Sequence, residues 1–437
     1  MTAAQPKHVQ QSVASLWAHT GVDAPRLRPL ERDTHCDTVI VGAGYTGLSA
    51  AHSLATRGVS AVVIDANAVG WGASGRNGGV VSPKFRVAFP AIAAAYGLDT
   101  ARRMNSIAHQ AVDAVAELVS EHGITDANFK ITGFLRCAHN DRALAHMLTE
   151  AEWLRASLND TSMATLSADE VQVETGSHGF VGGLLHKDAG TIHPLNYIRG
   201  LARALDAKGV PIYEDTPALR FGRESSGIIV ETPHGIVHAK QLIIATNAYS
   251  SITRATAKLK RSVIPFRSAI IATQKLPRSL DGQLLVNERS YGETRRMMRW
   301  FRKVDQRLLF GGRGAFGKED TDAAFDALRR AMVKLFPDLD TIPLEFKWSG
   351  HVAMTLNCLP HVGRLDERTS FAIGYNGAGV AMASLLGGYA ARFSMGESPD
   401  VAVLDARHLK PVPLYPLREL GVRLTAGWYQ FLDAIGA

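Results

Sequence analysis

Two short apolar runs, 38–41 and 61–64, bracket a glycine-bearing turn and an apolar stretch of helical period. That order reads as strand, loop, helix, strand. Residues 98–123 place Met104, Ile107, Ala108, Ala111, Val115, Leu118 and Val119 at helical spacing and stop at Gly123, a C-cap glycine. Residues 129–138 read as a strand-pair element and 141–158 as a second amphipathic helix. A helix is predicted over 196–208, ending at Gly209, then a short strand over 210–214. Stretches 218–221, 227–232 and 236–239 predict a meander with glycine turns. Residues 241–246 read as a separate buried strand. A second β-rich section follows at 263–273, 291–300 and 307–310, then a helix over 320–336 closed by Pro337. The pattern returns to a short strand at 371–374 and a long helix at 380–395. Residues 418–435 predict a basic terminal helix carrying Leu420, Leu424, Trp428, Phe431 and Leu432, read as packing on its own domain rather than on a membrane or another subunit.

This alternation predicts an α/β chain in which a Rossmann-like nucleotide domain is interleaved with a substrate domain on a mainly antiparallel sheet plus helices. The nucleotide part takes 36–85, 187–255 and 345–400, and the substrate part 86–186 and 256–344. Residues 1–35 form an arm with Trp17 as its anchor, and 401–437 a helical tail.

Composition narrows the class. The chain has 437 residues, 46% hydrophobic and 20% charged, enough for two or three globular domains. No apolar run approaches the ~18 residues that span a bilayer. The polar N-terminal stretch does not read as a secretory signal, so the expected location is cytoplasmic. Three scattered cysteines, Cys36, Cys137 and Cys358, form neither a disulfide framework nor a metal clip. The histidines show no metal-site spacing, so no metal is expected. The net charge of +7 comes without a basic tract interleaved with aromatics, which argues against nucleic acid. Oligomeric state is not legible.

The first turn is Gly42-x-Gly44-x-x-Gly47, with Tyr45 and Thr46 inside it, and the second strand ends at Asp65-Ala66. In a dinucleotide site, Gly42 allows the tight turn, Gly44 admits a diphosphate to the backbone, and Gly47 lets helix and strand pack closely. The helix N-terminus faces the diphosphate, and Asp65 accepts from a ribose hydroxyl. This spacing leaves NAD and FAD both open. Residues 70–79, GWGASGRNGG, then place five glycines in ten positions. Such a track lets backbone pass a large flat ligand, with Trp71, Gly72, Ala73, Ser74, Arg76, Asn77, Gly78 and Gly79 as candidate contacts.

The wording of that loop resembles the flavin-binding loop of the D-amino-acid oxidase superfamily, and within it small-amine oxidases of the γ-glutamylputrescine oxidase type. Later segments resemble the family in order. HPLNYIRGLARALDAKGVPIYEDTPALRF would bring the Ala218 backbone to the adenine side. IIATNAYSS would place Thr246 and Asn247 near the diphosphate. MRWFRKVDQRLLFGGR resembles a substrate-domain strand pair, and WSGHVAMTLNCLPHVGRL a segment bordering the flavin. GYNGAGVAMASLLGGYAARF supplies Gly374, Asn376, Gly377, Ala378, Gly379 and Val380 at a closing loop and helix. Two positions depart from the family: Asn357 stands where Asp is common, and Asp65 where Glu is usual. Val352 stands near where relatives carry a flavin-attaching cysteine, so non-covalent FAD is expected.

The resemblance implies oxidation of a C–N bond of an amine or N-substituted amino acid by hydride transfer to flavin N5. Imine hydrolysis and reoxidation by O2, giving hydrogen peroxide, complete the expected cycle. The substrate class it suggests is a γ-glutamylputrescine-like or other carboxylated amine. Helix-start N–H groups at 377–379 would steady negative charge on a reduced flavin. Arg302, Arg313 and His351 are the catalytic-site candidates, with Lys84 and Arg86 just past the loop and Trp300 and Phe301 as pocket walls. A dehydrogenase with a quinone or protein acceptor, a nicotinamide enzyme and a non-catalytic flavin-binding protein are the alternatives.

Overall fold

The computed structural model describes residues 14–312, 320–406 and 409–434. Two eight-stranded sheets organise them. The first is centred on strand Thr34–Val41, parallel to Ala61–Ile64 on one side and to Ile236–Ile244 on the other. Ile212–Tyr213 extends it past one flank; Thr369–Ile373 and His361–Asp366 extend it past the other. Period-two alternation sorts its side chains. Ile40, Val63 and Ile243 face a core shared with helices Tyr45–Ala55, Pro194–Ala207 and Gly379–Ser394. Val39, Val62 and Leu242 face the other core, with Leu30, Ala218 and Ile228. Burial on both faces explains the near-continuous apolar runs of these strands.

The stretches 236–239 and 241–246, expected as two elements, are one nine-residue strand, Ile236–Ile244. Its first half pairs antiparallel with Gly227–Glu231 on one edge, while the whole strand runs parallel to Thr34–Val41 on the other.

The second sheet runs Leu344–Met354, Ile264–Thr273, Arg307–Gly312, Arg299–Val304, Ser290–Glu293, Phe134–Ala138, Gly182–His186, Met163–Leu166. Every pairing is antiparallel except that of Ser290–Glu293 with Phe134–Ala138. One face is an aromatic stack, Tyr291 on Phe301 at 5.6 Å and Phe301 on Phe310 at 5.9 Å. Helix Asp322–Leu335 covers it. The alternate residues Trp300 and Arg302 point to the opposite face.

Two expectations change here. The strand expected over 291–300 is two strands, because residues 294–298 turn back; both carboxylate oxygens of Asp433 accept from Arg296 and Met297 N–H across that turn. Strand Leu344–Met354, at the start of a segment expected in the nucleotide part, is an edge of the antiparallel sheet.

Among the described residues the N-terminal segment forms a short helix, Leu16–Thr20, capped by the Ser15 hydroxyl. Leu16 and Trp17 are wholly buried. No helix of the described residues is long and apolar enough to cross a membrane.

Candidate active site

A cavity of about 700 Å³ lies where the C-terminal ends of the parallel strands meet the Trp300 face of the second sheet. Open α/β sheets place ligands at that end of their strands.

Its first wall is the glycine turn. Gly42 holds φ at +112°, and a methyl group on it would meet the Ala245 carbonyl oxygen at 2.9 Å. A methyl on Gly47 would lie 1.8 Å from the Gly42 carbonyl oxygen, so helix and turn touch through that missing side chain. Helix Tyr45–Ala55 starts at Gly44 without a side-chain cap of its own; the Ser74 hydroxyl accepts from Tyr45 N–H at 3.1 Å instead. Asp65 accepts from Ala43 N–H at 2.7 Å and Asn67 N–H at 2.9 Å. Burial pushes its carboxyl up to about 6. A carboxylate has about four acceptor positions, so room remains for a ribose hydroxyl.

The second wall is loop 70–79, pinned from behind. Asn77 donates to the Ala73 and Ser74 carbonyls and to the Tyr45 hydroxyl, and accepts from Gly79 N–H. Two buried tryptophans take loop carbonyls: Trp17 Nε1 donates to Asn77 O at 2.8 Å and Trp348 Nε1 to Arg76 O at 3.0 Å. Arg76 folds over Trp71 at 4.6 Å and donates to the Trp71 carbonyl. The Trp71 ring packs edge-on against Tyr249, and Tyr249 against His351.

The third wall is a second helix N-terminus. Gly379–Ser394 begins after Gly377-Ala378 with no side-chain cap. A methyl on Gly377 would meet nothing within 4 Å, so this backbone opens onto the cavity. Asn376 fixes the approach, accepting from Thr355 N–H and donating to the Gly374 carbonyl. Asn247 accepts from Gly374 N–H at 2.9 Å.

These walls fit a dinucleotide with a flat ring. Two helix N-termini without a cap of their own offer positive dipole ends. The buried Trp71 Nε1 lines the cavity with no partner.

A family model described as DAO, FAD dependent oxidoreductase, matches residues 37–393. The chain belongs to that family, and its cofactor is FAD. The gamma-glutamylputrescine oxidoreductase of Escherichia coli (strain K12) is similar at 32% identity over 415 residues, 93% of this chain and 95% of that one. The probable oxidoreductase OrdL of Haemophilus influenzae is similar at 29% identity, covering 97% of this chain and 98% of that one. Two solved structures share the fold. They are the glycine oxidase from Geobacillus kaustophilus (TM-score 0.71, 20% identity, 86% of this chain and 100% of that one) and the L-proline dehydrogenase from P. horikoshii (0.72, 20%, 86% and 98%).

Of the cofactor candidates read from the sequence, Gly47, Gly79 and Gly374 lie behind the wall and the others line the cavity. His351 lines it too; burial, then Arg76 and Arg267, lower its pKa and keep the ring neutral near pH 7. Arg302 stands apart from these. It does not line the cavity. Its Nη1 donates to three carbonyls, Gly79 at 2.9 Å and Gly78 and Ile192 at 3.2 Å each. That nitrogen is committed to the loop backbone, while the buried Nε has no hydrogen-bond partner. Arg313 lies outside the described residues. Phe301 is in the aromatic core behind the sheet, whereas Trp300 lies on Gly78. Asn357 and Cys358 are off the cavity wall, and no cysteine is part of it.

Sequence spacing did not foresee His52, Glu121 and His122 meeting outside the cavity with ligand atoms within 4.8 Å. They satisfy one another: His122 bonds His52 at 3.1 Å, and the Lys208 ammonium takes Glu121 at 3.1 Å.

Proposed function

We propose that this protein oxidises a C–N bond of a small carboxylated amine or N-substituted amino acid, releasing an imine to water and passing electrons to O2. The observation that carries the reading is a single cavity. It brings the Gly42–Gly47 turn, loop 70–79, the Gly377–Gly379 helix start and the Trp300 sheet face around one space. Non-covalently bound FAD would supply the two-electron acceptor.

The chain's own residues do the rest. The Tyr45–Ala55 N-terminus and Ser74 would hold the diphosphate, and Asp65 the ribose. N–H groups at 377–379 would steady negative charge without reorganising. Trp300 and Tyr249 would wall the substrate and exclude water. Arg76 lines the same space, and its charge favours a neutral amine over an ammonium. His351, on the same cavity wall, would take the proton an ammonium substrate must lose. The free cysteines suit a cytoplasmic setting.

The test is incubation of the purified protein in air with a panel of amines, scoring carbonyl product and peroxide. Both are expected with at least one carboxylated amine. One carbonyl per flavin, with no peroxide and no further turnover, moves the acceptor to a quinone or protein. Neither product with any amine overturns the proposal.

A further inference from the structure

Past loop 70–79 the cavity continues along the second sheet, and its lining changes character. Phe134 and Arg136, two apart on one strand, share a face. His186 stands opposite Phe134 on the neighbouring strand. Lys84, from the segment after the loop, lays its ammonium over the Phe134 ring at 4.8 Å. All four line the cavity.

The charges there do not balance. Arg136 is paired with Glu150 at 3.0 Å. Lys84 has no carboxylate in ion-pair range among the described residues, and Arg86 adds a further positive charge beside it. His186 is 8% exposed, and its Nε2 has no hydrogen-bond partner. Burial, then Arg136 and Lys84, hold its pKa down to about 3, so it is a neutral ring with one N–H. An unmatched ammonium and an unpartnered imidazole on one wall are costly unless a ligand completes them.

We propose that Lys84 and His186, over Phe134, anchor the carboxylate at the far end of a long amine substrate, distant from the carbon that is oxidised. The inference rests on the amine-oxidising reading above and adds a length to it. Trp300 touches the loop at Gly78. Trp300 pairs with Gly292, and Gly292 with Arg136. Two strand steps at about 4.8 Å each separate Arg136 from Trp300, and Phe134 from Arg302, by roughly 10 Å. With the reacting carbon taken at Trp300 and about 1.2 Å advance per bond of extended chain, that span corresponds to roughly eight bonds between it and the anion. An α-amino acid, whose amine and carboxylate share one carbon, cannot occupy both places. An ω-amino carboxylate or an amide-extended equivalent can.

The experiment uses the FAD-loaded protein and two readouts. The first is equilibrium binding of hexanoate, which has no amine, followed by calorimetry and by perturbation of the flavin spectrum. The second is the anaerobic flavin reduction rate with glycine, β-alanine, γ-aminobutyrate, ω-aminohexanoate, ω-aminooctanoate and hexylamine. Rates are expected to rise along the ω-amino series. Lys84→Met should lower the ω-aminooctanoate-to-hexylamine rate ratio and hexanoate affinity at least about tenfold, the low end for a charge-assisted bond. Lys84→Arg should recover part of both, and His186→Gln should weaken hexanoate less. Hexanoate binding unchanged in Lys84→Met, or glycine as good as the long chains, overturns the anchor. Wild-type hexanoate binding without flavin reduction by any amine overturns the amine reading and leaves the anion site standing.

Discussion

Arg302→Met separates a loop-holding role from a substrate-binding one. Arg302 is 7% exposed, and no carboxylate pairs with it among the described residues. One nitrogen serves the Gly78, Gly79 and Ile192 carbonyls, and the Trp17 ring lies 5.9 Å from the guanidinium. Hydrogen bonds from a charged donor contribute about 1.5–3 kcal/mol each. Three carbonyls on one nitrogen do not add, so about 3–5 kcal/mol is the ceiling for the cluster. Removing a buried, unpaired guanidinium returns part of that. A net loss of about 2 kcal/mol, or roughly 30-fold weaker FAD retention, is expected. The assay is FAD release followed by recovery of flavin fluorescence, alongside steady-state KM for the best amine. Faster release with KM changed little supports the clamp. Unchanged FAD retention with a selectively raised KM refutes it and returns Arg302 to the substrate.

Trp17→Phe removes one hydrogen bond to the Asn77 carbonyl and should weaken FAD retention by about 1 kcal/mol, several-fold in release rate. Gly47→Ala sets a methyl 1.8 Å from the rigid Gly42 carbonyl oxygen; about 1–3 kcal/mol of stability should be lost, seen as a lower melting temperature even without FAD. Gly377→Ala meets open space but at φ +99°, so its FAD affinity should fall further than its melting temperature, measured on the same preparations. Burial, then Arg136 and Arg86, push the Lys84 ammonium down to about 8. Hexanoate affinity should therefore be level below about pH 7 and fall as pH rises through about 8, because the charged form is lost in that direction; His186, already neutral, adds no step there.

Much of the first sheet was legible because both faces of its strands are buried, so 61–64 and 38–41 stand out as apolar runs. Helix 141–158 was legible from its period, and its bounds coincide with Asp141–Leu158. Strand Leu344–Met354 was missed although Leu344, Phe346 and Trp348 alternate with Glu345, Lys347 and Ser349, because the alternation stops at Gly350 and only pairing with Ile264–Thr273 shows its full length. The turn at 294–298 was missed because its backbone donors are satisfied by Asp433, more than a hundred residues away in sequence. The cofactor loops were readable because glycine leaves a mark wherever backbone must touch backbone. The Arg302 contacts were not legible: an arginine on a strand beside the loop looks the same in sequence whether it meets a carboxylate or three carbonyls. His186, within an ordinary GGLLH run, left no signal; only the register opposite Phe134 brings it to the cavity.

The most direct test of the central claim is anaerobic mixing of the yellow, FAD-loaded protein with an excess of a carboxylated amine while the visible flavin band is watched. The account predicts that the band bleaches in one substrate-dependent phase and that one carbonyl appears per flavin. A band that persists with every amine, while FAD stays bound, would contradict it.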